Sequence, residues 1–251
     1  MTFTYKTEKK IGTDRGGGLR GQGFTYPQLV VEIWGPLALF TRPEAKTERV
    51  SYPVPTPNAA AGMLRSVYWK PEFQYIVTGL EVLNPPAWQR ITRNEVDRVV
   101  TQQWVSAAQR DPAVRFDAAQ DRDQRSAVFL KDVRYRIHAQ IRPLAHARTT
   151  EEGYREQLRR RVERGACFNQ PCLGTRECVA EGFGPPSGQP ACQAYTDANL
   201  GPMLHSIEVH PNGAETYTWY VPTVERGVIV VPLEGLRLPA GRGGREPADA
   251  H

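Results

Sequence analysis

From Ala127 to Leu144 apolar and polar residues alternate almost without a break: Phe129, Val133, Tyr135, Ile137, Ala139 and Ile141 against Asp132, Arg134, Arg136, His138, Gln140 and Arg142. Period two sends successive side chains to opposite faces of a strand. A helix would mix the two sets around its circumference. The stretch therefore predicts a long, half-buried β-strand with an apolar face and a strongly basic face. A strand of this length needs partners on both edges, so the rest of the chain must supply a sheet.

The flanking pattern does so. Gln28–Trp34, QLVVEIW, reads as a strand ended by Gly35-Pro36. A long loop follows, broken by Pro43, Pro53 and Pro55. Thr56-Pro57 then forms an N-cap with proline in the first turn, opening a helix from Pro57 to about Trp69 with Ala60, Met63, Leu64 and Val67 on its apolar stripe. Lys70-Pro71 stops it, and Phe73–Leu83 is the next strand. Residues 84–125 are mostly polar and read as an insertion. Beyond the long strand, Thr150 opens a helix that carries Glu151 and Glu152 in its first turn and stops at Gly165 after Arg164. Leu173–Ala180 is a candidate final strand. The order β-α-β, insertion, β-α-β predicts an α+β, ferredoxin-like β-α-β-β-α-β domain, the arrangement of RNA-recognition modules. Residues 203–209, 215–222 and 228–232, separated by Asn212-Gly213 and Arg226-Gly227, read as an antiparallel β appendage. The predicted organisation is thus a flexible Gly-rich arm (1–27), a ferredoxin-like domain (28–182) with its insertion, a β-rich C-terminal part (183–238) and a disordered tail (239–251). A phosphate-binding loop is not expected among the arm's glycines, because no strand precedes them.

Charge narrows the partner. The net charge is +5. Between Lys131 and Arg164 stand ten Lys/Arg and five Asp/Glu, whereas the other 22 basic and 22 acidic residues cancel. The whole excess sits in one stretch, as an electrostatic footprint for a polyanion would; an ion-paired, solvated helix face is the alternative. No apolar run is long enough to span a bilayer and the first residues lack the apolar core of a signal peptide, so a cytoplasmic protein without a membrane partner is expected. Cys167, Cys172, Cys178 and Cys192 lack the paired spacing of a zinc ribbon and read as buried thiols; no metal is predicted.

Two segments, LALFTRPEAKTERVSYPVPTPNAAAGMLRSVYWKPEF and RGACFNQPCLGTREC, closely resemble the type I-C (Dvulg) CRISPR-associated RAMP protein. RITRNEV at Arg90–Val96, QRSAVFLKDVRYRIHA at Gln124–Ala139 and LGPMLHSIEV at Leu200–Val209 extend the similarity over about residues 28 to 232. The resemblance implies a protein that cuts the repeat of precursor CRISPR RNA without a metal ion or other cofactor. It implies that the protein then holds the 5′ handle in Cascade beside the backbone subunits and the large subunit, meeting target DNA only through the complex. It also implies a catalytic tyrosine in a Tyr-Trp-Lys-Pro motif, matched by Tyr68, and an adjacent Lys-His pair at the start of the second helix.

At that pair the chain departs. Ungapped alignment from RRRVERGACFNQP sets Gly153 and Tyr154 on the lysine and histidine positions. Neither carries positive charge, and a tyrosine is a poor base at neutral pH. Three alternatives stay open: Arg155 or Arg148 reaches the phosphate, His146 or His138 carries the proton, or cleavage is weak or absent, leaving a non-catalytic handle-binding scaffold. Tyr68 could equally be a core tyrosine, and Lys70 a C-terminal cap rather than a phosphate ligand. The expected RNA-binding residues are Arg42, Lys46 and Arg49 on the long loop, Lys70, the strand residues Arg134, Arg136 and His138, and Arg155, Arg159 and Arg160 on the second helix. Trp34, Trp69 and Phe168 are candidates for base stacking, with core packing the alternative for Trp34.

Overall fold

The computed structural model describes residues 24–236, except 46, 97–98, 116, 118–121 and 211–212. The Gly-rich arm before residue 24, Lys46, Asn212 and the C-terminal tail lie outside the described residues. Along the chain run β1 (Leu29–Ala38), α1 (Pro57–Val67), β2 (Phe73–Val82), β3 (Ala87–Val96), α2 (Gln102–Arg110), β4 (Arg122–Pro143), α3 (Glu151–Arg164), β5 (Gly182–Gly184), β6 (Met203–Val209), β7 (Glu215–Tyr220) and β8 (Val228–Val230).

The result is a mixed α/β protein built on an antiparallel sheet of order β5-β1-β4-β2-β8, with β3 paired to the far end of β4 and β6-β7 forming a separate ribbon. Strand β4 is the axis. Its residues 130–139 pair with β1 and 135–143 with β2, while residues 122–131 pair with β3. One face of the sheet gathers Ile33, Phe73, Tyr75, Leu80, Tyr135, Ile137 and Ile141 into a continuous core with Leu64 and Val67 of α1 and Leu158 of α3. The helices sit there because their caps fix them. The Thr56 hydroxyl accepts from Ala59 N–H at 3.1 Å, and Thr150 caps α3 through Gly153 N–H. Gly165, at φ 62°, closes α3 in the left-handed conformation.

Several expectations need correction. β1 does not end at Gly35-Pro36 but runs through it. Pro36 has no N–H to give the ladder, and the register passes from Gly35–Val133 to Leu37–Lys131, skipping Asp132, which takes φ 50°. The insertion, read only as polar from sequence, holds β3 and α2: β3 forms a ten-residue ladder with an N-terminal extension of the long strand, which begins at Arg122 rather than Ala127. Leu173–Ala180 makes only isolated bridges, and the edge strand beside β1 is the short Gly182–Gly184. Gly182 is required there, since a Cβ on it would lie 2.6 Å from the Trp34 ring. The expected three-stranded appendage splits, because β8 joins the main sheet on β2. Of the four cysteines only Cys178 is buried, and burial raises its thiol pKa. Among the described residues no helix is long and apolar enough to cross a membrane.

Candidate active site

The end of α1, the start of β2 and the entrance of α3 converge on one rim. Tyr68, the C-cap of α1, leaves the helix in an extended conformation. Its carbonyl accepts from the Tyr75 hydroxyl at 2.7 Å, and its ring lies 5.5 Å from that of Phe73. Phe73 in turn lies 4.9 Å from the ring of Tyr154, so one phenylalanine is wedged between the two tyrosines. From α3, Arg161 donates to the Val67 carbonyl at 3.0 Å and holds its guanidinium 5.3 Å above the Tyr68 ring. The Tyr154 hydroxyl accepts from Thr149 N–H at 3.2 Å and donates to Glu72 at 2.5 Å. His146 brings Nε2 to 3.0 Å from the Pro71 carbonyl. A carbonyl can only accept, so Nε2 carries the proton and Nδ1 of the neutral ring is left as an acceptor.

The electrostatics follow from this layout. Burial pushes the Tyr68 phenol above its ordinary range; neighbouring Tyr154 and Glu72 push the same way, and Arg161 opposes them. Tyr68 is therefore a donor at neutral pH. The hydrogen bond from Tyr154 holds the Glu72 carboxyl below its usual range, with Lys70 and Arg148 adding to the effect. Glu72 thus stands as a carboxylate between two exposed cations, and the rim sets the exposed His146, Lys70 and Arg148 beside two tyrosines that are themselves core residues, Tyr68 6% and Tyr154 1% exposed.

Of the residues expected from sequence, Tyr68, Tyr154, His146 and Lys70 meet at this rim, and Arg148 joins them. The cations of the long strand do not. They face the second side of the sheet, which is covered instead of open. Arg136 bonds Glu81, Glu32 (3.1 Å) and the Gln189 carbonyl. His138 is held between Glu81 at 2.7 Å and Gln28 at 3.0 Å. Arg134 pairs with Glu32 at 2.5 Å and lies 4.6 Å over the Trp34 ring. Arg136 and His138 are 4% and 1% exposed. The strongly basic face is thus a correction: its charge is neutralised internally by two carboxylates from the neighbouring strands. Arg155 is likewise buried, donating to Gln140 Oε1 at 2.9 Å and to the Pro27 carbonyl, and burial lowers its pKa to about 10. Arg155 and His138 are thus buried away from the rim, whereas His146 and Arg148 are exposed at it.

The remaining expected RNA ligands lie elsewhere. Arg42 sits 4.5 Å over Tyr52 and pairs with Glu44. Arg49 is shared between Glu95 and Glu177, tying the long loop to β3. Arg159 pairs with Glu156, and exposed Arg160 bonds Gln157 on the same helix. Sequence reasoning missed two members of the rim. Glu72 lies inside the WKPEF motif, and Arg161 stands two turns after Tyr154 on the same face of α3; those positions were the available signals. Among the described residues no three His, Cys, Asp or Glu cluster as metal ligands.

The family model for CRISPR-associated protein Cas5 (Cas5d) matches residues 28–231. A relative from Thermus thermophilus, named CRISPR pre-crRNA endoribonuclease Cas5d, is 41% identical over 180 residues, covering 72% of this chain and 73% of that protein. One of the same name from Mannheimia succiniciproducens is 36% identical over 216 residues, covering 82% and 95%. Two solved structures share the fold at a TM-score of 0.57 and 23% identity. One is a crystal structure of a CRISPR-associated protein, covering 81% of this chain and 90% of that one. The other is a functionally uncharacterized protein from Streptococcus mutans, covering 82% and 93%.

Proposed function

The chain belongs to the CRISPR-associated Cas5 family, and from that premise we propose that it cleaves precursor CRISPR RNA within the repeat and keeps hold of the 5′ handle. The observation that carries the proposal is the placement of Tyr68, the tyrosine of the Tyr-Trp-Lys-Pro motif, beside Arg161 on a rim that also holds His146, Lys70 and Arg148. With β3, α2 and β8 set aside, the order β5-β1-β4-β2 supports reading the core as a ferredoxin-like β-α-β-β-α-β unit. The handle and repeat, the backbone and large subunits of Cascade, and through them target DNA, are the partners of this reading, in the cytoplasm where repeat transcripts are made.

The reaction needs no metal. The ribose 2′-oxygen attacks the adjacent phosphorus, the P–O5′ bond breaks in line, and the products are a 2′,3′-cyclic phosphate and a 5′-hydroxyl. The 2′-proton must leave and the 5′-oxygen must gain one. His146 presents Nδ1 as the acceptor, Tyr68 donates its phenolic proton towards the departing oxygen or the phosphorane, and Lys70, Arg148 and Arg161 stabilise the growing charge. Tyr154 does not replace the absent histidine as a base, because its hydroxyl is already given to Glu72; it fixes the carboxylate that orients Arg148.

A different observation favours a second reading. Gly153 and Tyr154 in place of Lys-His remove two groups from the reacting site, which would leave a handle-binding scaffold without catalysis. Labelled repeat RNA incubated with the protein in EDTA decides between them. A single cut that falls by roughly 10²–10⁴-fold in Tyr68→Phe, with binding retained, supports the enzyme. Binding without a cut in the wild type supports the scaffold.

A further inference from the structure

Two large aromatic side chains stay open to solvent on either side of the Tyr68 turn: Trp69 is 51% exposed and Phe168 75%. Trp69 directly follows the residue that ends α1. Phe168 stands in the loop after α3, and that loop is pinned to the same spot, because Phe168 and Asn169 N–H both donate to the Ser66 carbonyl, at 2.9 and 3.0 Å. Three residues of chain, at most about 11 Å, separate Ser66 from Trp69. Arg161 is anchored at the same turn, on the Val67 carbonyl and over the Tyr68 ring. Trp34 makes the contrast: its ring is occupied by Arg134 and packed on Gly182.

Exposed rings held by backbone anchors beside cations match what single-stranded RNA requires. Unpaired bases stack on aromatic faces while basic side chains follow the backbone, and the stack is tolerant of sequence. We infer that Trp69 and Phe168 are the stacking pair of this site, each taking one unpaired nucleobase next to the phosphate presented to Tyr68. The inference rests on the endoribonuclease reading and adds positioning residues to it. Two stacked bases on opposite sides of the turn fix successive nucleotides, and with them the line through the 2′-oxygen, phosphorus and 5′-oxygen.

The test uses the full chain and repeat RNA carrying 2-aminopurine at each nucleotide flanking the cut. Binding should quench the probe on both sides, Trp69→Ala should abolish the quench on one side, and Phe168→Ala on the other. Each alanine variant should raise the half-saturating RNA concentration about 5- to 100-fold, and Trp69→Phe and Phe168→Tyr should stay within about threefold of the wild type. Alanine variants that melt like the wild type, bind RNA within about twofold and keep both quenches overturn the inference. A wild type that never cuts overturns the endoribonuclease reading instead, and the quench on binding still decides the stacking pair.

Discussion

Replacing Glu32 by glutamine tests the covered side of the sheet. Glu32 is fully buried and receives Arg134 at 2.5 Å, Arg136 at 3.1 Å, and the Ser187 N–H and hydroxyl at 3.0 and 3.1 Å. Glutamine keeps the volume and one acceptor but removes the charge that Arg136 shares between Glu32 and Glu81. Breaking one side of a buried ion pair costs about 3–5 kcal/mol. In a chain of this size that corresponds to a fall in melting temperature of about 6–20 °C, measured by circular dichroism. Burial alone would raise the Glu32 carboxyl, but the bonds from Ser187, Arg134 and Arg136 hold it below its ordinary value of 4.5. A depressed carboxyl contributes its stability above the unfolded value and loses it as pH falls through the folded one. The gap between wild type and variant should therefore be full at neutral pH and narrow once pH drops below about 4.5. Because the pairs are buried, it should survive high salt. A gap below about 1 kcal/mol at neutral pH, or one that stays constant into strong acid, would refute the assignment.

Gly174→Ala should be destabilising by at least about 2 kcal/mol in denaturant titration, since the position takes φ 99° and its Cβ would fall 2.0 Å from the Leu39 carbonyl oxygen. Above about pH 8, where an ordinary imidazole base is already neutral, the rate of RNA cleavage should not climb further up to about 10, because Tyr68 acts as a donor and burial keeps its proton on above the ordinary tyrosine range; a rise that tracks tyrosinate formation in that window would reverse its role.

Helices were legible where the chain carries its own stop signs. Thr56-Pro57 and Thr150 to Gly165 fix both helix starts and one end locally, and the structure follows them within two residues. The core face of β4 was equally plain, because alternation is local. What alternation does not report is the other face: Arg134, Arg136 and His138 look solvated until Glu32 and Glu81, distant in sequence, arrive from neighbouring strands. β3 was hidden for the opposite reason, being exposed along most of its length and so lacking an apolar rhythm. β5 is three residues, two of them glycine, and carries no pattern of its own. At the candidate site Tyr68 and Tyr154 came from motif likeness. Arg148 and His146 could be ranked above Arg155 and His138 only once burial was known.

Strand β4 runs for 22 residues, one end clamped in the central sheet and the other carrying β3 away from it. At about 3.3 Å per residue that is a beam of roughly 70 Å. Its positive-φ residue, Asp132 at φ 50°, sits where the central sheet gives way to the projection, so a tilt of β3 is taken up there, at a distance from the Phe73–Pro143 and Tyr75–Ile141 pairs at the other end of the strand. Whatever grips the far end of β3 therefore holds one end of the same strand whose other end pairs with the floor of the rim where RNA is proposed to be cut.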